Sequence, residues 1–287
     1  TVKLATNLWV KKQSVKLGPG ESRTIHVSIP WKNPVLWGHA PHGEPVLYFL
    51  QGTLTDASDK AATDRHVTRF GFREIWTEDG KILMNGRPVF TWGDHSVPYV
   101  HERQWLTRKL PDLVDGNVSI IENHRYDAPP VLYDVADELG MFVIAANFCV
   151  GSQQVPAGLP PDEYQLVLAE HLKVAEAWIR RDRNHPSILF WDVTDTWAPE
   201  WCVPLLKKVR ELDASRLTEV TYNNAPSEVL EQISTYRLFS GLGQIEQAIS
   251  MIQTNSAMPR KPIRVGEAGI FSKPFWGYDD DPPISPE

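Results

Sequence analysis

After Val89 the sequence changes period. Short apolar runs, Phe90–Trp92, Val118–Ile121, Phe142–Ala145, Ile188–Trp191, Thr218–Tyr222, Ile233–Tyr236 and Ile263–Gly266, recur with helical stretches between them. Parallel strands cannot be joined by a tight turn, so strand and helix in alternation predict a parallel sheet with crossover helices. The clearest helix runs from Pro130 to Leu139 and is closed by Gly140 at its C-cap. Another runs from Asp162 to Arg183, with Leu166, Leu168, Leu172, Val174, Ala175 and Trp178 expected to form its apolar face. The seven apolar runs fall one short of the eight strands of a closed (β/α)8 barrel, and Tyr278 to Pro283 has no strand pattern. A barrel lacking its last βα unit is expected.

Before the change of period the pattern is that of short strands and turns. Thr24 to Ile29 alternates apolar and polar with period two, which predicts a strand with one face buried. The turn cluster Leu17-Gly18-Pro19-Gly20-Glu21 precedes it, and a second strand is expected from Val46 to Leu54. Strands at this spacing indicate a small antiparallel sandwich. The boundaries are then 1–76 for a β-sandwich and 77–287 for the barrel. Between them Asn85-Gly86 separates two apolar runs, and a tight hairpin requires positive φ at both of its central positions.

Charge and composition exclude several classes. A net charge of -7 and a pI near 5.7, without any Lys/Arg block, provide no footprint for phosphate backbones or anionic lipid. Nucleic acid and membrane are therefore not expected partners, and no apolar run is long enough to span a bilayer. Cys149 and Cys202 match no metal or redox spacing and read as free thiols. His39 and His42 lie on a Pro/Gly loop without an acidic or Cys cluster and read as solvated surface, so no metal is expected. No phosphate-cradling glycine motif is present, and no cofactor is expected. The 11 Trp suit a groove in which flat rings cover sugar faces, although core filling is an equal use for any one of them.

Two stretches carry the chemistry: Asn184-His185-Pro186-Ser187-Ile188 running on to Trp191-Asp192-Val193-Thr194-Asp195-Thr196-Trp197, and Lys261 to Gly269, which holds Glu267. Both resemble the carboxylate strands of family 2 glycoside hydrolases, the β-galactosidase, β-glucuronidase and β-mannosidase group. Phe70-Gly71-Phe72-Arg73 and the Asn85-Gly86 turn resemble the junction in that family between an immunoglobulin-like domain and a TIM barrel. The resemblance spans about Val15 to Gly269 and implies a fragment: the immunoglobulin-like domain and most of the catalytic barrel.

Retaining glycosidases place two carboxylates about 5 Å apart across the scissile bond, one as nucleophile and one as general acid/base. The resemblance makes Glu267 the nucleophile. In the family the other strand ends Asn-Glu, its Glu being the acid/base; here Asp195-Thr196 stands in its place. A threonine hydroxyl cannot serve as an acid near neutral pH, and Asp195 is shorter and displaced. A family Arg on the second barrel strand is Glu122, and a family acidic pair on the third is Ala145-Ala146. The remaining expected contacts with a carbohydrate substrate are His95, His124, Arg125, Asn147, Trp191, Trp197, Tyr222, Asn223 and Tyr236. The reading is a β-glycoside hydrolase whose activity is impaired by Thr196. The rivals are a non-catalytic carbohydrate-binding or scaffold protein derived from such an enzyme, and an altered form of a parent with Asn-Glu at 195 and 196.

Overall fold

A computed structural model describes residues 10–39, 43–59, 63–94, 102–123, 127–146, 159–193, 199–219, 234–238 and 263–268, the last two segments as backbone. The first element is an antiparallel ribbon of β1 (Tyr48–Thr55) and β2 (Thr63–Phe70), in register from Tyr48 opposite Phe70 to Thr55 opposite Thr63. Tyr48, Phe70, Phe72 and Trp31 cluster at its foot with ring centroids 5.0–5.8 Å apart, and the Tyr48 hydroxyl donates to Val35 O at 3.2 Å. The expected strand at Thr24 to Ile29 does not form. Among the described residues no strand pairs with it, and Ile25 and Val27 are exposed, so the alternation buries no face there. The ribbon is the sheet structure contributed by the described residues of this region.

A three-stranded meander follows, β3 (Ile75–Glu78), β4 (Lys81–Met84) and β5 (Arg87–Val89). Its second turn is Asn85-Gly86, with φ of 51° and 79°, the paired positive values expected of this sequence. The Asn85 amide also fastens the turn, donating to Trp37 O at 3.0 Å while its Oδ1 accepts from Glu74 N at 3.0 Å.

The parallel sheet comprises β6 (Gly93–Asp94), β7 (Ile120–Glu122), β8 (Phe142–Ala146), β9 (Ile188–Asp192) and β10 (Leu217–Glu219), arranged side by side in sequence order. The strand expected at Phe90–Trp92 begins later, at Gly93. Helices α1 (Arg103–Asp115), α2 (Pro130–Leu139), α3 (Pro161–Asp182) and α4 (Pro199–Leu212) alternate with these strands. A sheet whose spatial order follows its sequence order, wound always the same way, closes toward a barrel; it has no reversal point as a doubly wound sheet does. Two more parallel strands, β11 (Ser234–Leu238) and β12 (Ile263–Ala268), pair with each other. The expected absence of an eighth unit falls on residues after 268, outside those described.

Strands β7 to β10 bury both faces, as parallel strands do. Ile121, Val143, Ala145 and Trp191 face the helices, joining Leu106, Leu132, Trp178 and Leu206. Ile120, Ile144, Phe190 and Leu217 face the interior, where Trp37 from the segment before β1 and Ile82 and Met84 of β4 join the same cluster at the lower end. Leu189 is the extra residue of a bulge, since Val143 pairs with Ile188 and Ile144 with Phe190. α2 ends as its sequence predicts, at Gly140 with φ 72°. On α3 the buried stripe is Leu168, Ala175, Trp178, Ile179 and Asp182. Leu166 and Val174 are exposed, Leu166 because it falls on the side of the helix opposite this stripe and Val174 because it falls at the edge of it.

One buried carboxylate ties the lower end together. Asp137 accepts from Ser187 N at 2.9 Å and His185 Nδ1 at 2.7 Å and pairs with Arg69 at 3.3 Å, while its carbonyl accepts from Trp37 Nε1 at 2.9 Å. His39 is also buried here, stacked on Phe142 with centroids 4.1 Å apart and with Nδ1 2.8 Å from Gly140 O. It is a packing residue, which corrects its reading as solvated surface; His42 lies outside the described residues.

Candidate active site

The C-terminal ends of β6 to β10 point one way, and in a barrel strand ends of this kind form the mouth where chemistry is assembled; β11 and β12 run parallel to each other. Glu267 lies one residue before the end of β12, its backbone beside Arg237 of β11 after a one-residue irregularity at Tyr236/Arg237. Tyr236 lies in β11 in register with Val265. The other expected residues follow strand ends in the sequence: His95 after β6, His124 and Arg125 after β7, Asn147 after β8, Asp195, Thr196 and Trp197 after β9, Tyr222 and Asn223 after β10. These nine lie outside the described residues.

Trp191 is corrected. Its side chain is fully buried among the helices, edge-on to Trp178 at 4.9 Å, with Nε1 donating to Asp213 at 2.9 Å and the Arg216 guanidinium 5.4 Å from its ring centre. Sequence position could not separate this from a sugar platform, because adjacent residues of a strand point to opposite faces. Trp191→Ala is expected to cost about 3–5 kcal/mol of stability, measured by urea unfolding. Unchanged stability with a raised KM would instead restore a role in the cleft.

The residue after Trp191 faces the other way. Asp192 pairs in register with Ala146 on one side and Glu219 on the other, and alternation from Phe190 and Leu217 directs both carboxylates to the interior, where they are buried. Glu122, in register with Ile144, joins the same face one layer lower. Asn123 extends the β7–β8 ladder with its side chain, donating from Nδ2 to Ala146 O at 2.9 Å and accepting from Ala146 N at 3.3 Å. It thereby holds the end of β8 next to the chain leading to His124. Asn123, Asp192 and Glu219 were not expected as site residues; the signal for Asp192 and Glu219 is a polar side chain at the inward phase of an otherwise apolar strand, and Asn123 follows directly on the end of β7.

The segment Asn184-His185-Pro186-Ser187, by contrast, lies before β9, at the opposite end from the mouth. His185 and Ser187 bind Asp137, and His185 O accepts from Arg216 at 2.7 Å. This motif positions β9 and does not touch the cleft. Asp134, Asp137 and His185 bring potential metal ligands within 4.8 Å of one another, but Arg69 supplies the positive charge there by pairing with Asp134 and Asp137. Among the described residues no helix is long and apolar enough to cross a membrane.

A singly wound parallel sheet with a polar inner layer at its C-terminal end defines the TIM-barrel class. Residues 77–274 match the TIM barrel domain of the glycosyl hydrolases family 2, and the chain belongs to that family. It is 28% identical over 198 residues to a candidate β-glucuronidase of Formosa agariphila, an overlap of 67% of this chain and 18% of the relative. In structure it resembles the family 2 β-galacturonidase from Eisenbergiella tayi bound to galacturonate, with a TM-score of 0.66 and 21% identity over 82% of this chain and 44% of the other. It also resembles Bacteroides uniformis β-glucuronidase 2 covalently bound to cyclophellitol-6-carboxylate aziridine, with a TM-score of 0.64 and 20% identity over 82% and 31%. At such identities the structural likeness concerns the fold. The chain spans less than half the length of each of these relatives.

Proposed function

We propose that this chain carries the nucleophile half of a retaining β-glycosidase site, with Glu267 as nucleophile, and acts on a β-linked hexuronide. The observation that carries this is Glu267 at the C-terminal end of a parallel strand, within the segment that matches the family. The uronide class is supported by the relatives, which are β-glucuronidases and a β-galacturonidase by name. The acid/base position is held by Thr196, so protonation of the leaving oxygen and activation of water are both impaired. Glu122 adds a buried carboxylate on the inner face where the family resemblance has an arginine, a change that disfavours a second anion nearby. These two substitutions also favour the second reading, a carbohydrate-binding protein without turnover.

A glycoside with a very good leaving group needs no proton to depart, so Glu267 is expected to form a covalent glycosyl-enzyme that accumulates for want of a base. Activated β-glucuronide, β-galacturonide, β-galactoside, β-mannoside and β-glucoside substrates are compared by intact-protein mass spectrometry. The expected result is one added uronic acid mapped to Glu267 and released by azide as a glycosyl azide. An adduct with a neutral sugar would replace the substrate class. No adduct with any of them, alongside measurable sugar binding, would favour the second reading.

A further inference from the structure

The end of the barrel remote from the mouth holds a cavity of about 130 Å³ between the junction segment after β2 and the loops entering β9 and β10. Its walls carry three guanidinium groups, Arg73, Arg183 and Arg216, together with Asn184 and Ser215. Arg216 is satisfied: it pairs with Asp213 at 2.5 Å and donates to Ile188 O at 3.2 Å and His185 O at 2.7 Å. The other two are not. Among the described residues the side chain of Arg73 has one hydrogen bond, from Nη2 to Ile188 O, and its buried Nε has no partner. Arg183 reaches Leu212 O at 3.5 Å and forms no ion pair among the described residues.

Two guanidinium groups that pair with no carboxylate among the described residues, beside a third whose charge is already balanced, leave the cavity lining with an excess of positive charge and of unused N–H donors. Leaving the buried Nε of Arg73 unpaired is costly, and a planar guanidinium matches a tetrahedral oxyanion with two parallel hydrogen bonds. Burial, and then the nearby charge of Arg216, weaken the hold of Arg73 on its proton and outweigh the attraction of Asp213 and Asp137. The volume is that of about four waters, enough for one small oxyanion and too little for a sugar ring with its substituents. The exposed positions of Arg183, Asn184 and Ser215 keep the cavity open to solvent.

We propose that this cavity is a binding site for a small tetrahedral oxyanion, phosphate or sulfate, held by Arg73 and Arg183 with Asn184 at the rim. It stands apart from the sugar site and does not depend on the chain's hydrolytic activity. Occupancy would brace the junction segment against the loops before β9 and β10, since Arg73 belongs to the first and Arg183 to the second.

The test is calorimetric titration and thermal unfolding of the whole chain with phosphate and, separately, sulfate, against chloride at matched ionic strength. Saturable binding and a rise in unfolding temperature are expected with one or both oxyanions and not with chloride, and the two arms identify the preferred one. Arg183→Ala, at an exposed position, is expected to weaken binding by about tenfold or more while the protein still folds. Asn184→Glu places a carboxylate at the rim and is expected to abolish the oxyanion response. Equal responses to chloride and the oxyanions, or unchanged affinity in both variants, would overturn the proposal.

Discussion

Replacing Asp195-Thr196 by Asn-Glu is expected to raise kcat/KM for β-glycosides with poor leaving groups by roughly 100- to 10,000-fold, the range contributed by one general acid/base. The nucleophile proposed for this is Glu267, one residue before the end of the parallel strand β12. With a poor leaving group, glycosyl transfer to Glu267 waits for a proton that Thr196 cannot deliver, so the gain should be largest there and small for substrates that leave unaided. A plot of rate against leaving-group pKa should therefore lose most of its slope in the restored variant. Restoration without any gain, in protein that also forms no Glu267 adduct with an activated glycoside, would point to Glu122. Glu122→Arg in the same background then measures how far that buried carboxylate holds the nucleophile back.

Asp213→Ala is expected to remove about 3–5 kcal/mol of stability, because it strips the counter-charge from a buried guanidinium. Asp213 pairs with Arg216 at 2.5 Å, accepts from Trp191 Nε1 at 2.9 Å and from Ser215 N and Oγ at 2.9 and 2.6 Å, and only 6% of its side chain is exposed. Burial pushes its proton affinity up, but Arg216 and these donors outweigh burial and hold the carboxyl below the usual carboxylate range. A depressed pKa stabilises the fold at pH values above the unfolded-state pKa of about 4, and that stabilisation is lost as pH falls through the lower folded value. Urea unfolding from pH 7 down to pH 2 should show this acid limb. Asp213→Asn should flatten it while costing less than the alanine variant. A loss below about 1 kcal/mol for Asp213→Ala would mean that Arg216 finds its charge balance elsewhere.

Most of the barrel is legible in the amino-acid pattern. Six of the seven expected strands are found within a few residues of their apolar runs, and only the first moves clear of its run, from Phe90–Trp92 to Gly93–Asp94. The two long helices appear within one residue of their expected limits, and Asn85-Gly86 makes its turn. The N-terminal region is less legible. Thr24 to Ile29 has the alternation of a strand without a partner, whereas β1 and β2 pair over their whole length. The candidate site divides in the same manner. Glu267 and Tyr236 sit in strands as expected, while Trp191, chosen as a sugar platform, packs against Trp178 and Asp213 under the helices.

Periods, φ preferences and caps act over a few residues of one chain segment. They are enough to specify the alternation of parallel strands and helices, the turn at Asn85-Gly86, the end of α2 at Gly140 and the strand ends on which chemistry can be built. Other outcomes arise only when the segments pack: Trp191 looks outward and Asp192 inward, His39 is buried on Phe142, His185 serves Asp137, and Arg73 and Arg183 face one cavity without carboxylates. Each of these depends on which residues, distant in sequence, arrive to cover a face or satisfy a charge, and burial and pairing are set by that arrival and not by the local pattern.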